Sequence, residues 1–326
     1  MHTWEGNPAP KPTPDYGTLG PGSDVQAGQT RDPQIRRVRV IAVLIAAALS
    51  ALLFAGTTSA RAAWSQIADL LSLHGQPKPA SLAILSEHEI EHLDQQNPQN
   101  QAQLLLGRSI NHYDGANDQI AARVDGWRGR LRLTSQLNGQ ITTGMNSNDL
   151  RVRAAAIEVD LAALNQAKTS ANVDRLAKEA ESGSQQQRIW ALWTLGLLGN
   201  RGVEPQRVSE ILTSQLRDSD PEIRHWAVEG LAYLGTDDSI APLLETFHDD
   251  PSPMVRERAA CSLAQSGMLT QEQRRTAVPK LLDYAEDTSL DAQTHLWVYH
   301  ALRDITGQNL PSDPAAWRNW YSSVQN

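Results

Sequence analysis

Apolar residues recur along the second half of the chain in a pattern that fits one face of an α-helix. Each copy opens with a basic residue, has a small residue or valine at offset three, and has aliphatic residues at offset seven and usually at offset ten. The spacings between copies are 36, 32 and 39 residues, with starts at Arg188, Arg224, Arg256 and His295. Three copies carry tryptophan at offset two, namely Trp190, Trp226 and Trp297. Self-similarity at this period predicts a solenoid of stacked helical repeats.

Each copy is followed by a helix stop and then by a second apolar helix. The expected stops are glycines with positive φ, at Gly199, Gly235, Gly267 and Gly307. Second helices are predicted near residues 208–216, 240–247 and 278–285. A pair of short helices cannot bury its own apolar face, so the pairs must stack. A weaker copy at residues 149–164, with a second helix near 173–180, opens the array.

The repeats resemble the HEAT family. The segment DPEIRHWAVEGLAYLGTDDSIAPLLETFHDDPSPMVRERAACSLAQSG, from Asp220 to Gly267, is similar to the HEAT consensus. The resemblance covers residues 149–310 and implies an all-α solenoid of about five helix pairs. It implies little about activity, because HEAT arrays occur in scaffolds, transport factors, lyases and DNA glycosylases. The stretches ALRDITGQNLPSDPAAWRNWY, NHYDGA and NSNDLRVRAAAIE resemble bacterial membrane-anchored HEAT-repeat proteins of unknown function.

An apolar segment near the N-terminus predicts a membrane anchor. Residues 40–56 form a run of 17 residues without charge, and arginines stand just before it at Arg36, Arg37 and Arg39. Positive charge on this side places the N-terminus in the cytoplasm. Residues 38–58 are therefore predicted to cross the cytoplasmic (inner) membrane once, with the repeats outside the cytoplasm. The alternative is a signal peptide cleaved after the small residues at 58–62, although the stretch in front of the apolar run is long for one.

The other segments complete the predicted organisation. Residues 1–37 are rich in proline and glycine and are expected to be a disordered cytoplasmic tail. Residues 59–85 form a linker, and residues 86–148 form a helical module that caps the solenoid. Residues 311–326 are expected to form a C-terminal capping helix with Trp317, Trp320 and Tyr321 on one face.

The most specific candidate for chemistry is His88-Glu89-x-x-His92. On a helix, two histidines at this spacing share a face and could bind zinc, with Glu89 as general base. Glu89 is also the third residue of a capping box that Ser86 opens, which favours a structural role. A third ligand would have to come from His112 or Glu158. The interpretation preferred here is a solvated first helical turn, with no metal.

The remaining candidates favour structural roles. His295 and His300 flank a repeat tryptophan, and Cys261, the one cysteine, is predicted to be a small buried core residue. The aspartate pairs at 237–238 and 249–250 are expected to lie at turns, without the alternating ligands of a calcium loop. The arginines at 123, 128, 130 and 132 form a basic cluster that is expected to be solvated, with anionic lipid or an acidic partner as the alternative. A net charge of −8 argues against nucleic acid as a partner.

These features favour a non-enzymatic scaffold that binds a protein or peptide partner on its repeats. No cofactor and no catalytic or metal-ligating residue are expected, and the sequence does not identify the binding surface. The alternative is an enzyme, either a zinc hydrolase through His88 and His92 or a HEAT-like lyase. A structural envelope protein that only self-associates is a third possibility. Motifs of serine hydrolases, phosphate-binding loops and dinucleotide-binding folds are absent, which argues against catalysis.

The membrane assignment predicts the side on which the C-terminus lies. A reporter that is active only outside the cytoplasm should work when it is fused after Asn326, because Arg36, Arg37 and Arg39 hold the N-terminus inside. A matched fusion to a cytoplasmic reporter is the control. Activity from the cytoplasmic reporter alone would overturn the assignment, and a mature chain that begins near Ala62 would replace the anchor by a cleaved signal.

Overall fold

The computed structural model describes residues 83–325, which fold into α-helices joined by short turns. The first helices along the chain are α1 (Glu87–Asp94), α2 (Pro98–Ile110), α3 (Ala116–Trp127), α4 (Ser135–Met145) and α5 (Leu150–Ala163). The next are α6 (Ser170–Ser182), α7 (Gln185–Asn200), α8 (Pro205–Gln215), α9 (Pro221–Leu234) and α10 (Ile240–Asp249). The last are α11 (Pro253–Ala264), α12 (Gln271–Thr276), α13 (Val278–Glu286), α14 (Ala292–Thr306) and α15 (Pro314–Gln325).

The all-α prediction is confirmed for this part of the chain, where the one β contact is an isolated bridge between Ile84 and Asp114. No helix between residues 83 and 325 combines the length and apolar character that a membrane crossing requires. The predicted membrane helix at 38–58 lies outside the described residues, together with the predicted tail and most of the linker.

Sequence signals at the helix starts are largely confirmed. Ser86 and Glu89 form the expected capping box, because the Glu89 N–H donates to Ser86 Oγ at 3.2 Å and the Ser86 N–H donates to Glu89 Oε2 at 3.1 Å. Asn97 caps α2 and Asp220 caps α9, each by accepting a backbone N–H of the first turn.

Three of the four expected glycine stops are confirmed by positive φ angles, at Gly235, Gly267 and Gly307. The fourth is wrong, because α7 continues past Gly199 and the left-handed residue is Gly202, with φ 84°. A Cβ at Gly199 would lie 2.6 Å from the Leu234 side chain. Glycine is therefore needed at this position for close packing between α7 and α9, and not for a turn.

The repeats stack through their first helices. Along the array, α7 packs on α9, α9 on α11, and α11 on α14. The second helices α8, α10 and α13 lie against these first helices. The backbones of α7 and α9 touch, since a Cβ at Gly196 would lie 2.4 Å from the carbonyl oxygen of Gly230. The residues at offsets three and seven are buried as the pattern predicts, at Ala191, Leu195, Ala227, Leu231, Ala259, Leu263, Val298 and Leu302.

An arginine near the start of three first helices, α7, α9 and α11, ties neighbouring turns together. Arg224 in α9 donates to both carboxylate oxygens of Asp250, at 2.7 and 2.9 Å, in the turn that follows α10. The same guanidinium donates to the carbonyl oxygen of Asp218, at 2.8 Å, in the turn that precedes α9. The equivalent bonds join Arg188 to the Ala180 carbonyl and the Asp218 carboxylate, and Arg256 to the Asp250 carbonyl and the Asp291 carboxylate. We call this series the arginine ladder.

The ladder explains why Asp250 is not the helix cap that its position before proline suggests. Helix α11 begins at Pro253, and Ser252 occupies the N-cap position. One oxygen of Asp250 accepts the Ser252 N–H at 2.8 Å, while both oxygens accept from Arg224. The carboxylate is buried, and these donors replace the water that it loses on folding.

The tryptophan column is less buried than the pattern suggests. Trp226 is 8% exposed, but Trp190 and Trp297 are half-buried. The Trp226 ring packs edge-on against Trp193 of α7, with 6.1 Å between ring centroids. Trp190 lies nearer the surface, where the guanidinium of Arg175 stands 5.6 Å from its ring.

The repeat without tryptophan carries Arg258 at that position. Its guanidinium lies 2.6 Å from the carboxylate of Glu229, a side chain of α9 that is fully buried. The aromatic contact that joins α7 to α9 is therefore replaced by a buried ion pair between α9 and α11.

Helix α5 does not stack as the first member of the array. It packs against α2, α3 and α4, whereas α6, its expected partner, packs on α7. Arg153 near the start of α5 donates to the carbonyl oxygens of Gln265 and Gly267, at the end of α11. Glu158 of the same helix accepts from Arg201, after the end of α7, at 2.8 Å. The helix of the weaker copy at residues 149–164 thus contacts the ends of two first helices, and it packs mainly on α2, α3 and α4.

The C-terminal helix α15 packs on α13. Trp317 is fully buried, and its indole N–H donates to the carbonyl oxygen of Pro311 at 2.9 Å. Trp320 and Tyr321 are half-buried against the core. Arg318 on the polar side binds Asp283 and Glu286 of the α13 segment, at 2.7 and 2.8 Å.

The ladder predicts a large effect of one arginine on stability. Replacing Arg224 by alanine should lower the free energy of unfolding by about 3–5 kcal/mol, because the Asp250 carboxylate would stay buried without its partner. The control is the replacement of Arg151 by alanine. The Arg151 side chain is 77% exposed beside Asp149, so its loss should change the free energy of unfolding little. Chemical denaturation of the two variants measures both values. Equal midpoints for the two variants would show that the ladder does not hold the repeats together.

Candidate interaction surface

A groove lies between the second helices α8 and α10. The groove has a volume of about 340 Å³. The end of α8 forms one wall, α10 forms the other, and the turn at residues 250–251 closes the base. Its lining consists of Thr213, Leu216, Arg217, Asp218, Arg224, Pro242, Glu245, Thr246, Asp249, Asp250 and Pro251.

The floor of the groove is charged but internally neutralised. It contains the ladder residues Arg224 and Asp250, and Asp218, which binds Arg188. Burial alone would raise the pKa of Asp218, but the hydrogen bonds from Arg188 and from the Asp220 N–H outweigh burial and lower it. The hydrogen bond with Asp250 raises the pKa of the Arg224 guanidinium. The charged groups of the floor are bonded to one another, so they have little capacity left for a ligand.

The rim of the groove carries charges that the fold does not use. Arg217 and Glu245 are exposed, and neither side chain makes a hydrogen bond or ion pair within residues 83–325. The hydroxyl of Thr246 is occupied, because it donates to the carbonyl oxygen of Pro242 at 2.8 Å. A groove with free rim charges of both signs and no activated nucleophile fits recognition of a polar segment better than catalysis.

Next to the groove, His248 links α10 to the turn that follows α13. Its ring is hydrogen-bonded to Asp249, and its Nε2 lies 2.9 Å from the carboxylate of Asp287. Partial burial alone would lower the pKa of His248, but the two carboxylates outweigh burial and raise it. Hydrogen bonds from Ser289 and His248 lower the pKa of Asp287.

Residues 173–264 match the family model of HEAT repeats, from within α6 to the end of α11. The chain contains HEAT repeats. The match begins after α5, in agreement with the departure of that helix from the stack. A crystal structure of an engineered protein from the Northeast Structural Genomics Consortium is 17% identical, with 67% of this chain and 95% of that chain covered and a TM-score of 0.33, which is too low to support an argument. The chain matches none of the curated proteins with which it was compared.

The zinc alternative finds little support at the start of the helical region. His88 and His92 are exposed, with 6.3 Å between ring centroids, but Glu89 is occupied by the capping box and by Arg108 at 2.7 Å. The suggested third ligands are held elsewhere, since His112 faces Asp149 and Glu158 binds Lys168 and Arg201. Among residues 83–325, no group of three metal-ligating side chains comes together.

The other sequence candidates lie apart from the groove. His295 is half-buried and contacts the carbonyl oxygen of Asp291, while His300 is exposed. Cys261 is partly buried on α11. Burial still raises the pKa of its thiol, and the nearby Arg258 is held by Glu229.

Sequence reasoning missed the groove because its walls come from helices more than twenty residues apart. It also treated the first charged residue of each copy as a marker of register only. The aspartates that follow the second helices, Asp218 and Asp250, stand 30 and 26 residues after their arginines. Arg256 and Asp291 are 35 residues apart, so the signal was an aspartate about one repeat after each arginine and not a fixed spacing.

The His248 link predicts a pH-dependent contribution to the stability of the HEAT array. A raised pKa in the folded state means that the stabilisation is complete below about pH 6.5 and is lost as pH rises through the folded value. The Asp287 contribution has the opposite sign and is already complete above about pH 4, so it is constant in this window. The difference in unfolding free energy between the wild type and His248→Gln should therefore shrink between pH 5.5 and pH 9. A difference that stays the same at both pH values would contradict the assignment.

Proposed function

We propose that this protein is a non-enzymatic scaffold that binds a protein or peptide partner in the groove between α8 and α10. The observation that carries the proposal is the pairing of a neutralised floor with free rim charges at Arg217 and Glu245. HEAT arrays offer extended surfaces of this kind to other proteins.

The size and lining of the groove favour a peptide segment over a small metabolite. A volume of about 340 Å³ is at the lower end for a ligand site, and such sites are mostly apolar. Here the apolar contribution comes chiefly from Leu216, Pro242 and Pro251, and the rest of the lining is polar. An extended chain with one or two small side chains and charges of both signs would match the groove.

The proposal includes a membrane tether. The apolar run within residues 38–58 and the arginines in front of it support a single-pass anchor with the repeats outside the cytoplasm. A tethered array would present its groove to partners close to the membrane, where the effective concentration of other anchored proteins is high.

A photo-crosslinking amino acid tests the groove in intact cells. Placed at Glu245, it should yield a defined adduct with a partner protein, identified by mass spectrometry. The reversed pair Arg217→Glu with Glu245→Arg should then lose that partner in a binding assay while its melting temperature stays unchanged, because both side chains are exposed and unpaired.

The control uses charges outside the groove. Glu272 and Arg275 lie at exposed positions on α12. The crosslinker is placed at Glu272, and the charges are reversed in the double variant Glu272→Arg with Arg275→Glu. If both crosslinker positions give the same adducts, or if the two reversed pairs bind the partner equally well, the groove is not the binding site.

A further inference from the structure

The turn between α3 and α4 presents a group of unpaired cations. Arg128, Arg130 and Arg132 are all exposed, and none of their side chains makes a hydrogen bond or ion pair. Within residues 83–325 only two other arginine side chains are unpaired in this way, Arg217 and Arg275. We call residues 128–132 the arginine loop.

The backbone of the arginine loop is held firmly. Leu131 is buried, and the Arg132 N–H donates to the side-chain oxygen of Gln99 at 2.9 Å. Trp127, just before the loop, is also buried, and its indole N–H donates to the side-chain oxygen of Gln101 at 2.8 Å. The three guanidinium groups are therefore displayed from a fixed support, and little backbone order has to be gained when they bind.

The acidic groups nearest in sequence or packing do not neutralise the loop. Asp125 lies 3.6 Å from Lys168, and Asp94 lies 2.8 Å from Arg123. Glu158, on the neighbouring helix α5, is shared by Lys168 and Arg201. Positive charge thus remains concentrated at the end of α3, although the whole chain has a net charge of −8.

The loop offers charge without an apolar anchor. Its leucine points inward, and the large apolar side chains that are exposed within residues 83–325 lie elsewhere, at Ile84, Met254, Leu296 and Val324. A protein interface normally centres on buried apolar or aromatic side chains. A layer of anionic lipid headgroups needs only cations that can reach it.

We propose that the arginine loop binds the anionic headgroups of a phospholipid bilayer and so fixes the orientation of the HEAT array on the membrane. The inference rests on the proposed tether for its setting. Each arginine near an anionic surface contributes about fivefold to the binding equilibrium, and three together contribute on the order of a hundredfold. Because a tether holds the loop at millimolar effective concentration, this factor is enough to keep it docked.

The test uses the full chain and vesicles of phosphatidylcholine, with or without phosphatidylglycerol. A donor dye on Ser135→Cys, in a Cys261→Ser background, reports distance to acceptor dyes on the lipid headgroups, because Ser135 is exposed and begins α4 next to the loop. Energy transfer should be several-fold higher on phosphatidylglycerol vesicles, and 0.5 M salt should remove the difference because it screens the charges. The variant R128Q/R130Q/R132Q should give the low value on both vesicles.

The matched control is R275Q/K178Q/K280Q, which removes three exposed cations outside both proposed surfaces and should leave the transfer unchanged. The membrane tether is tested separately, by flotation of the chain with phosphatidylcholine vesicles after alkaline extraction of peripherally bound protein. A tethered chain should float with these vesicles. A chain that floats only with phosphatidylglycerol, and through the three arginines, would overturn the tether and support the loop.

Equal transfer on both vesicles, or equal transfer by the triple variant and the parent, would overturn the loop proposal and leave an acidic protein as the partner to seek. A chain that floats with neither vesicle would overturn both proposals.

Discussion

The arginine ladder is the interaction on which the stacking of the repeats depends. An arginine at the start of a first helix is bonded to the turn before it and to the turn after the next second helix, so each rung fixes the distance between two successive repeats. A buried ion pair of this kind is stable only when every donor and acceptor is placed, which makes the spacing between repeats specific. Arg153 of α5 keeps only the first of these bonds, to the carbonyl oxygen of Ser147 in the turn before its helix. Its other bonds go to carbonyl oxygens at the end of α11 and not to the turn after a second helix.

The outer contacts between first helices are less uniform than the ladder. Between α7 and α9 the contact is aromatic, through Trp193 and Trp226, and between α9 and α11 it is the Glu229–Arg258 pair. The pair leaves Glu229 Oε1 and Arg258 Nε buried without a partner. Unsatisfied buried groups cost free energy. The junction between α9 and α11 is therefore the softer one, whereas the groove between α8 and α10 lies on the preceding repeat boundary, where α7 meets α9.

Both proposed binding surfaces consist of charges that folding leaves unused. Most arginines in the described part of the chain serve the ladder, cap carbonyl groups or neutralise a neighbouring carboxylate, as Arg274 and Arg318 illustrate. The unpaired ones lie at the rim of the groove, on α12 and in the arginine loop. A scaffold works by presenting fixed chemical groups, so a firm backbone under unpaired charges is the feature to look for in such a protein. Neither surface requires the chain to perform a reaction.

The sequence by itself determined the helical repeats, their period and most of their ends, because periodicity, capping residues and glycine stops act within a few residues of one another. Ser86 and Gly235 were both interpretable on that basis. Which helices pack against one another was decided only in the tertiary structure. The weak copy at residues 149–164 satisfied the same local pattern as a repeat, yet α5 packs mainly on α2, α3 and α4. Its Arg153 bonds to carbonyl groups at the end of α11, which lies more than a hundred residues away along the chain. The groove has the same origin, since its walls come from residues that are distant along the chain.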